Sequence, residues 1–170
     1  MINEIDVLRI FNDHDKIVKT YEVHELDDYI VLIQELVNGV DLNNFITKEH
    51  QENIEEYNAL EILHSLLQGI MHIHKKGYIH RDIKPANVMM VKKKNEKLKF
   101  DKNVLWDVKI IDFGLCVPSW DFSENSFLKD KSGTVGYLAP ELLKKSRDEF
   151  YDSKIDIFSS GVLFYEMYFY

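Results

Sequence analysis

The sequence predicts an α+β fold, in which a few short strands accompany a mainly helical region. Segments 17–23 and 29–36 are rich in β-branched and aromatic residues on either side of an acidic turn, a pattern that predicts two antiparallel strands. Segment 53–76 carries apolar residues at helical spacing. Segment 156–170 is so apolar that we expect a buried helix there.

The predicted long helix has start and stop signals as well as an apolar face. Asn53 can cap its first turn, and Glu56 stands three residues on, as in a capping box. Lys75 and Gly77 suit its end, because a basic side chain complements the helix dipole and glycine accepts the left-handed turn. One apolar stripe runs along the helix: Ala59, Leu63, Leu66, Ile70 and Ile73.

The remaining predicted elements are shorter. Apolar residues at three- and four-residue steps predict a helix over 2–11. Segments 88–91 and 108–111 predict two short buried strands, which are separated by the polar segment 92–107. We expect this lysine-rich segment to be a solvated loop, with docking of a partner as the alternative.

Composition limits the classes of function. The hydrophobic content of 45% and the charged content of 29% predict a soluble globular chain rather than a membrane-inserted or disordered one. The net charge of -8 disfavours a nucleic-acid partner, because phosphate backbones are held by dense Lys and Arg. The sequence shows no secretory signal, and its single cysteine fits a reducing compartment. We therefore expect a cytoplasmic protein, with the nucleus as a further location.

The octapeptide HRDIKPAN, at residues 80–87, places a carboxylate, an ammonium and an amide close together after the long helix. Pro85 forces Lys84 out of the helical region, so the segment forms a loop that can turn these side chains toward one point. Such a set suits phosphoryl transfer. Asp82 can orient a hydroxyl and accept its proton, Lys84 can neutralise a phosphate oxygen, and Asn87 can bind a metal ion.

A second motif follows the strand predicted at 108–111. Asp112 stands at the strand end, where a carboxylate can hold a cation, and Gly114 lets the backbone turn sharply. A strand followed by a turn with Asp and Gly is common, so Asp-Phe-Gly by itself is a weak signal. After the octapeptide it becomes a specific signal, and we predict Asn87 and Asp112 as metal ligands.

In this order the two motifs resemble the catalytic core of eukaryotic serine/threonine protein kinases, in particular calcium/calmodulin-dependent or calcium-dependent kinases. The octapeptide is similar to the family's catalytic loop, and residues 112–114 look like its magnesium-binding triad. Residues 133–134 and 139–141 resemble the end of the kinase activation segment. Asp156 matches the start of the family's buried helix F, where an aspartate anchors the backbone of the catalytic loop.

The resemblance implies a reaction. Lys84 and Thr134 together are similar to the serine/threonine branch rather than the tyrosine branch. The implied activity is transfer of the γ-phosphate of ATP, with Mg²⁺, to a serine or threonine hydroxyl of a protein substrate. Asp82 would act as the base and Lys84 would contact a phosphate. Asn87 and Asp112 would hold the Mg²⁺.

The resemblance also implies a partial two-lobe kinase-like fold. The end of the small β lobe would occupy residues 1–37, and the first half of the mainly helical large lobe would occupy residues 38–170. Glu4 would lie in the family's helix C and pair with an ATP-binding lysine. A solvated helix charge is the plain alternative for Glu4.

Further nucleotide contacts are implied next to the second predicted strand. Glu35 and Val37 would form the hinge, whose backbone groups hold adenine. Gln34 would be the gatekeeper at the back of the nucleotide site. Asp41 resembles the acidic residue that meets the ribose or a basic substrate side chain.

Two departures from the family pattern concern what flanks the motifs. The family's Gly-rich loop and ATP-binding lysine would precede Glu4, and only three residues do. We therefore expect negligible activity from these 170 residues alone. A non-catalytic binding or regulatory fragment is the alternative function, and a gene model that lost flanking exons would reconcile the two.

Family helices after residue 170 would pair with Glu141 and cover four side chains that we expect to be uncovered here: Val162, Leu163, Phe164 and Phe169.

Other side chains carry weaker predictions. Thr20 takes the place of a leucine in the family's hydrophobic spine and could loosen helix C. Asp130 could pair with the arginine of the octapeptide and order the activation segment without a phosphate. His72 and His74 point to different faces of a helix, which disfavours a shared metal ion. Cys116 is predicted to be a small buried side chain, with a reactive thiol as the alternative.

Overall fold

The computed structural model describes residues 9–27, 29–49, 56–92, 106–120, 128, 131–143 and 150–169. Of the helix predicted over 2–11, residues 9–10 lie in this part of the chain, and both are helical. Two strands follow, β1 (Thr20–Glu25) and β2 (Ile30–Gln34). The later elements are β3 (Val40–Asp41), α1 (Leu42–Glu49), α2 (Glu56–Lys75), β4 (Tyr78–Ile79), a 3-10 turn (Pro85–Asn87), β5 (Val88–Lys92), β6 (Trp106–Ile110), β7 (Val117–Pro118), α3 (Pro140–Leu143) and α4 (Lys154–Phe169).

Small antiparallel sheets connect these elements within the described ranges. β1 pairs with β2, β5 lies between β3 and β6, and β4 pairs with β7. Ile17 forms a parallel bridge with Ile110, and the Val18 N–H donates to the Ile110 carbonyl at 3.0 Å. The loop before β1 is therefore fastened directly to β6.

The strands and long helices predicted from the sequence are confirmed, with ends that differ by a few residues. Helix α1 was missed, because its three core-facing side chains span barely one turn and give a weak periodic signal. These are Leu42, Phe45 and Ile46, all buried. The 3-10 turn at the end of the octapeptide begins at Pro85, whose fixed φ suits a first helical position.

The main core lies between α2 and the three-stranded sheet. Gly69 permits their close contact, because a Cβ there would lie 2.8 Å from Ile110 Cδ1 and 3.2 Å from Lys16 Cβ. A smaller cluster packs under α3 and the start of α4. Fully buried residues of the main core include Phe11, Leu66, Ile70, Val88, Met90 and Ile110.

Helix α4 differs from the prediction of a buried helix. One face packs on α2, so Leu163 is fully buried, contrary to the expectation that it would be uncovered. Phe169 is 63% exposed, as expected, while Val162 and Phe164 are partly buried. The helix is apolar on all sides, and one side alone has a packing partner among the described residues. Sequence periodicity could not predict which side this is.

Within the described residues, no helix combines the length and the apolar character needed to cross a bilayer.

Candidate active site

Asp82 lies at the centre of a hydrogen-bonded cluster. The Thr134 hydroxyl donates to Asp82 Oδ1 at 2.6 Å, and Asn87 Nδ2 donates to Asp82 Oδ2 at 2.9 Å. Lys84 Nζ lies 2.7 Å from the same Oδ2 and also donates to the Thr134 hydroxyl at 2.9 Å. The structure thus brings together the three residues predicted from the octapeptide. The contact with Thr134 was not predicted, because 52 residues separate it from Asp82.

The environment of Asp82 keeps its side chain ionised. The side chain is 9% exposed, and burial by itself raises the pKa of a carboxyl group. Hydrogen bonds from Lys84 and Thr134, together with the positive charge of Lys84, outweigh this effect and hold the pKa of Asp82 below its ordinary value. Asp82 is therefore a carboxylate at neutral pH, the form that can accept a proton.

Asp156 fixes the backbone of the loop that carries Asp82. The backbone N–H groups of His80 and Arg81 each donate to one Asp156 carboxylate oxygen, both at 2.9 Å. His74 Nε2 lies 2.8 Å from Asp156 Oδ2, and Asp156 is 1% exposed. The anchoring implied for this aspartate is confirmed. It holds Arg81 at a φ of 69°, a left-handed conformation that is unfavourable for a residue with a Cβ.

Asn87 and Asp112 lie at neighbouring ends of the paired strands β5 and β6. The Ile111 N–H donates to the Asn87 carbonyl at 3.0 Å, so Asp112 directly follows a residue bonded to Asn87. Asn87 Nδ2 donates to both the Asp82 carbonyl and Asp82 Oδ2, so the carboxamide oxygen is the Asn87 atom that could bind a metal ion. Asp112 is exposed. Carboxamide and carboxylate oxygens are hard ligands, so this donor set fits Mg²⁺.

Phe113 holds the turn that carries Asp112. Its ring is 2% exposed and lies 4.9 Å from the His80 ring and 5.3 Å from the Phe11 ring, between centroids. Asp112 itself adopts a φ of 61° and accepts a hydrogen bond from the Gly114 N–H at 3.1 Å. The turn is therefore fixed by its buried aromatic residue, while its acidic residue faces solvent.

The segment predicted to form the hinge lies next to β6. Lys109 Nζ lies 2.8 Å from Glu35 Oε2, and the Glu35 N–H donates to the Lys19 carbonyl at 2.8 Å. The side chain and the backbone N–H of Glu35 are therefore both held by other residues of the chain, Lys109 and Lys19. Val37 is partly buried, and its carbonyl accepts from the Gly39 N–H at 3.0 Å.

Thr20 and Gln34 are hydrogen-bonded to each other behind this segment. Gln34 Nε2 donates to Thr20 Oγ1 at 3.1 Å, and Thr20 is 3% exposed. Asn12 bonds both backbone groups of Thr20, at 2.7 and 2.8 Å. The buried hydroxyl at this position therefore has a polar partner. Residues 1–8 of helix C, which Thr20 was expected to loosen, lie outside the described residues.

Asp41 caps helix α1. Its carboxylate accepts from the Asn44 N–H at 2.8 Å and from Asn44 Nδ2 at 2.5 Å. Burial raises the pKa of Asp41, but these hydrogen bonds outweigh that effect and bring it below its ordinary value. The sequence signal for this cap was an aspartate directly before the first helical residue.

The remaining predicted residues have separate environments or lie outside the described part. His72 bonds Asp13 at 2.9 Å, whereas His74 bonds Asp156, so the two histidines do not share a ligand site. Burial raises the pKa of the Cys116 thiol, which keeps it protonated and favours the prediction of an unreactive side chain. Glu4 and Asp130 lie outside the described residues.

Comparison with known families agrees with this geometry. The family model described as the protein kinase domain matches residues 1–170. The chain belongs to the protein kinase domain family. The predicted resemblance and the partial kinase-like α+β fold are thereby confirmed.

Curated relatives of this kinase domain share about a third of its residues. The serine/threonine-protein kinase cds1 of Schizosaccharomyces pombe is 36% identical over 96% of the chain. Calcium-dependent protein kinase 4 of Plasmodium falciparum is 34% identical over 97% of the chain, and calcium-dependent protein kinase 5 of Plasmodium berghei is 35% identical over 90%. The kinase domain spans 24% to 33% of the length of these relatives.

Proposed function

We propose that the protein carrying this kinase domain transfers the γ-phosphate of ATP to a serine or threonine hydroxyl of a protein. The observation that carries the proposal is the Asp82 cluster, in which an ionised, buried carboxylate lies 2.7 Å from an ammonium group and beside a carboxamide. Phosphoryl transfer depends on positioning and on charge stabilisation, and the cluster supplies both. The names of the curated relatives support the serine/threonine class.

Each residue of the cluster has a distinct part in this proposal. Asp82 orients the substrate hydroxyl and accepts its proton as the oxygen attacks phosphorus. Lys84, held on the same side by Thr134, donates a charge-assisted hydrogen bond to the transferring phosphoryl group. The Asn87 carboxamide oxygen and the Asp112 carboxylate would hold Mg²⁺, which when bound supplies positive charge to the phosphate oxygens.

Binding of the nucleoside involves the chain before β3. The backbone groups of Glu35 and Val37 would bond the adenine edge. Asp41 would reach the ribose or a basic substrate residue only by sharing oxygens that already cap α1. Met89 was not predicted from the sequence, and we add it to the residues that would contact the nucleoside. It pairs in register with Asp41, and its partly exposed side chain alternates with the buried Val88 and Met90 along β5, so it faces away from the core.

The alternative is a non-catalytic binding or regulatory module that keeps these motifs. The sequence predicts that the family's Gly-rich loop and a lysine placed to pair with Glu4 are missing from these 170 residues. We therefore expect the 170 residues, expressed alone, to show negligible transfer. This expectation is separate from the activity proposed for the product of the full gene. The small-lobe and large-lobe boundaries, 1–37 and 38–170, and the cytoplasmic or nuclear location stay predictions.

The proposal is tested with the product of the full gene, radiolabelled ATP, Mg²⁺ and a mixture of serine- and threonine-containing peptides. We expect label on hydroxyl side chains, and Asp82→Asn should reduce the rate about a thousandfold, within the range of general base catalysis. Asp27→Asn removes a negative charge at an exposed turn and should leave the rate unchanged. Nucleotide binding without transfer in the wild type would favour the non-catalytic alternative.

A further inference from the structure

β6 carries two charged residues that bind the segments leading into the hinge. Asp107 and Lys109 lie on one face of the strand, because side chains alternate and Val108 and Ile110 face the core. Asp107 Oδ2 lies 2.8 Å from Lys16 Nζ, and Lys109 Nζ lies 2.8 Å from Glu35 Oε2. We call these two ion pairs the strand clamp.

Other contacts make the strand clamp more rigid than two isolated pairs. The Ser65 hydroxyl donates to Asp107 Oδ1 at 2.5 Å, so helix α2 takes part. Lys109 Nζ also donates to the Asp15 carbonyl at 3.0 Å. The backbone continues the connection, since the Ile110 N–H donates to the Lys16 carbonyl at 2.8 Å. Three segments distant in sequence therefore meet on one strand.

The clamp is partly shielded from water. The side chains of Lys16 and Asp107 are 10% and 23% exposed, and those of Lys109 and Glu35 are 16% and 23% exposed. Ion pairs on a fully exposed surface contribute little, because water and salt screen them. Pairs with this much shielding are coupled more strongly, and loss of one partner leaves the other charge poorly solvated.

The strand clamp connects the proposed hinge to the strand that leads into the Asp112 turn. Lys109 lies on β6, three residues before Asp112, which follows the end of that strand, and Glu35 is the first residue of the proposed hinge. A nucleotide would contact the hinge with its base and the Asp112 region with its phosphates. We propose that the strand clamp sets the distance between these two halves of the nucleotide site, which makes Lys109 and Lys16 positioning residues. This inference rests on the proposed function.

The test uses two ligands that differ in what they span. Mg·ATP contacts both halves of the site, whereas adenosine contacts the hinge half. With the product of the full gene, we expect Lys109→Met to raise the Kd for Mg·ATP about fivefold, a usual size for coupled neighbours. The Kd for adenosine should change less than about twofold, because the hinge groups themselves remain. Titration calorimetry measures both constants.

Matched variants separate positioning from general damage. Lys109→Arg keeps the charge and should restore Mg·ATP binding. Adding Glu35→Gln to Lys109→Met should weaken binding no further, because the pair is already broken. Lys154→Met removes an exposed ion pair with Asp152 and should change neither Kd. An equal effect of Lys109→Met on both ligands, or no effect, would overturn the inference while leaving the proposed function intact.

A second measurement reads the clamp without any nucleotide. Lys109→Met and Asp107→Asn should each accelerate hydrogen exchange at the Ile110 amide, which bonds the Lys16 carbonyl across the clamp. Unchanged exchange at this amide in both variants would count against the clamp. A wild type that binds neither Mg·ATP nor adenosine would refute the proposed function, and the exchange rates would still decide whether the clamp holds β6.

Discussion

The octapeptide loop at 80–87 and the strand-end turn at 111–116 hold their acidic residues in opposite ways. Asp82 is buried and receives hydrogen bonds from three side chains, which lower its pKa. Asp112 is exposed, and within the described part of the chain its carboxylate accepts one hydrogen bond, from a neighbouring backbone N–H. Its position is set by the burial of Phe113 and by β6 rather than by partners of its own carboxylate.

This difference matches what each carboxylate is proposed to do. A base must be ionised and correctly oriented before the substrate arrives, so the protein supplies its partners. A metal ligand gains its partner from outside, and protein donors around it would compete with the cation. The loop thus has its polar partners without a ligand, whereas the turn presents an exposed carboxylate on a rigid support.

The largest expected effect comes from removing the anchor of the loop. Asp156→Ala leaves two buried backbone N–H groups without acceptors, and we expect a loss of about 3 kcal/mol in the free energy of unfolding. Urea unfolding followed by circular dichroism measures it. Glu22→Ala, at an exposed position on β1, is the control and should be nearly neutral. Equal stability of the two variants would show that the loop does not depend on Asp156.

A substitution in the strand-end turn should weaken ligand binding and leave the stability of the fold unchanged. Asp112→Asn is expected to weaken Mg·ATP binding about thirtyfold, in line with losses at metal sites, and to leave urea unfolding unchanged because the side chain is exposed. Calorimetric titrations at several Mg²⁺ concentrations measure the effect. Asp82→Asn, by contrast, should bind Mg·ATP nearly as well as the wild type. A marked loss of stability in Asp112→Asn would contradict the comparison.

The ion pair between Lys16 and Asp107 holds β6, which carries the strand-end turn. Its contribution to the stability of the fold should depend on pH. Burial raises the pKa of Asp107, but hydrogen bonds from Lys16 and Ser65 outweigh this effect and lower it. Burial lowers the pKa of Lys16, but hydrogen bonds to Asp107 and Asp15 outweigh this effect and raise it. A lowered carboxyl pKa stabilises the fold above its unfolded value of about 3.9 and loses this effect as pH falls through the folded value. The raised lysine pKa contributes at every pH below about 10.4.

Lys16→Met should therefore cost about 2 kcal/mol between about pH 5 and pH 9, and progressively less as the pH falls below the unfolded carboxyl value of about 3.9 toward the lower pKa that Asp107 has in the fold. Urea unfolding at a series of pH values measures this difference from the wild type. Lys76→Met breaks the more exposed pair with Asp13 and should cost much less at every pH. A penalty for Lys16→Met that is independent of pH would mean that packing, rather than the ion pair, stabilises this junction.

The smallest expected effect concerns the alignment of Asp82. Thr134→Val removes the hydroxyl that bonds both Asp82 and Lys84, and we expect kcat to fall about fivefold, as for one hydrogen bond. The pKa of Asp82 should rise, which moves the acidic limb of the pH–rate profile upward. Thr134→Ser keeps the hydroxyl and should restore both values. An unchanged profile in Thr134→Val would argue that Lys84 alone positions Asp82.

The sequence predicted the features that are formed by residues close together along the chain. Asp82, Lys84 and Asn87 lie within one octapeptide, and the structure places them in one cluster. Pairs between distant segments were missed, because 91 residues separate Lys16 from Asp107 and nothing near either residue marks the other. The cap at Asp41 and helix α1 were missed for a different reason, since a helix of two turns gives too few periodic positions to stand out.

The bond between the octapeptide and Asp156 has a consequence for the order of folding. His80 and Asp156 are 76 residues apart along the chain. Local contacts form quickly, whereas contacts at such separation wait for the intervening chain to be ordered, because closing a long loop costs entropy. We therefore expect the octapeptide to reach its final shape only after α4 has docked on α2. During synthesis, its residues should become ordered only once the segment 154–169 has emerged and packed.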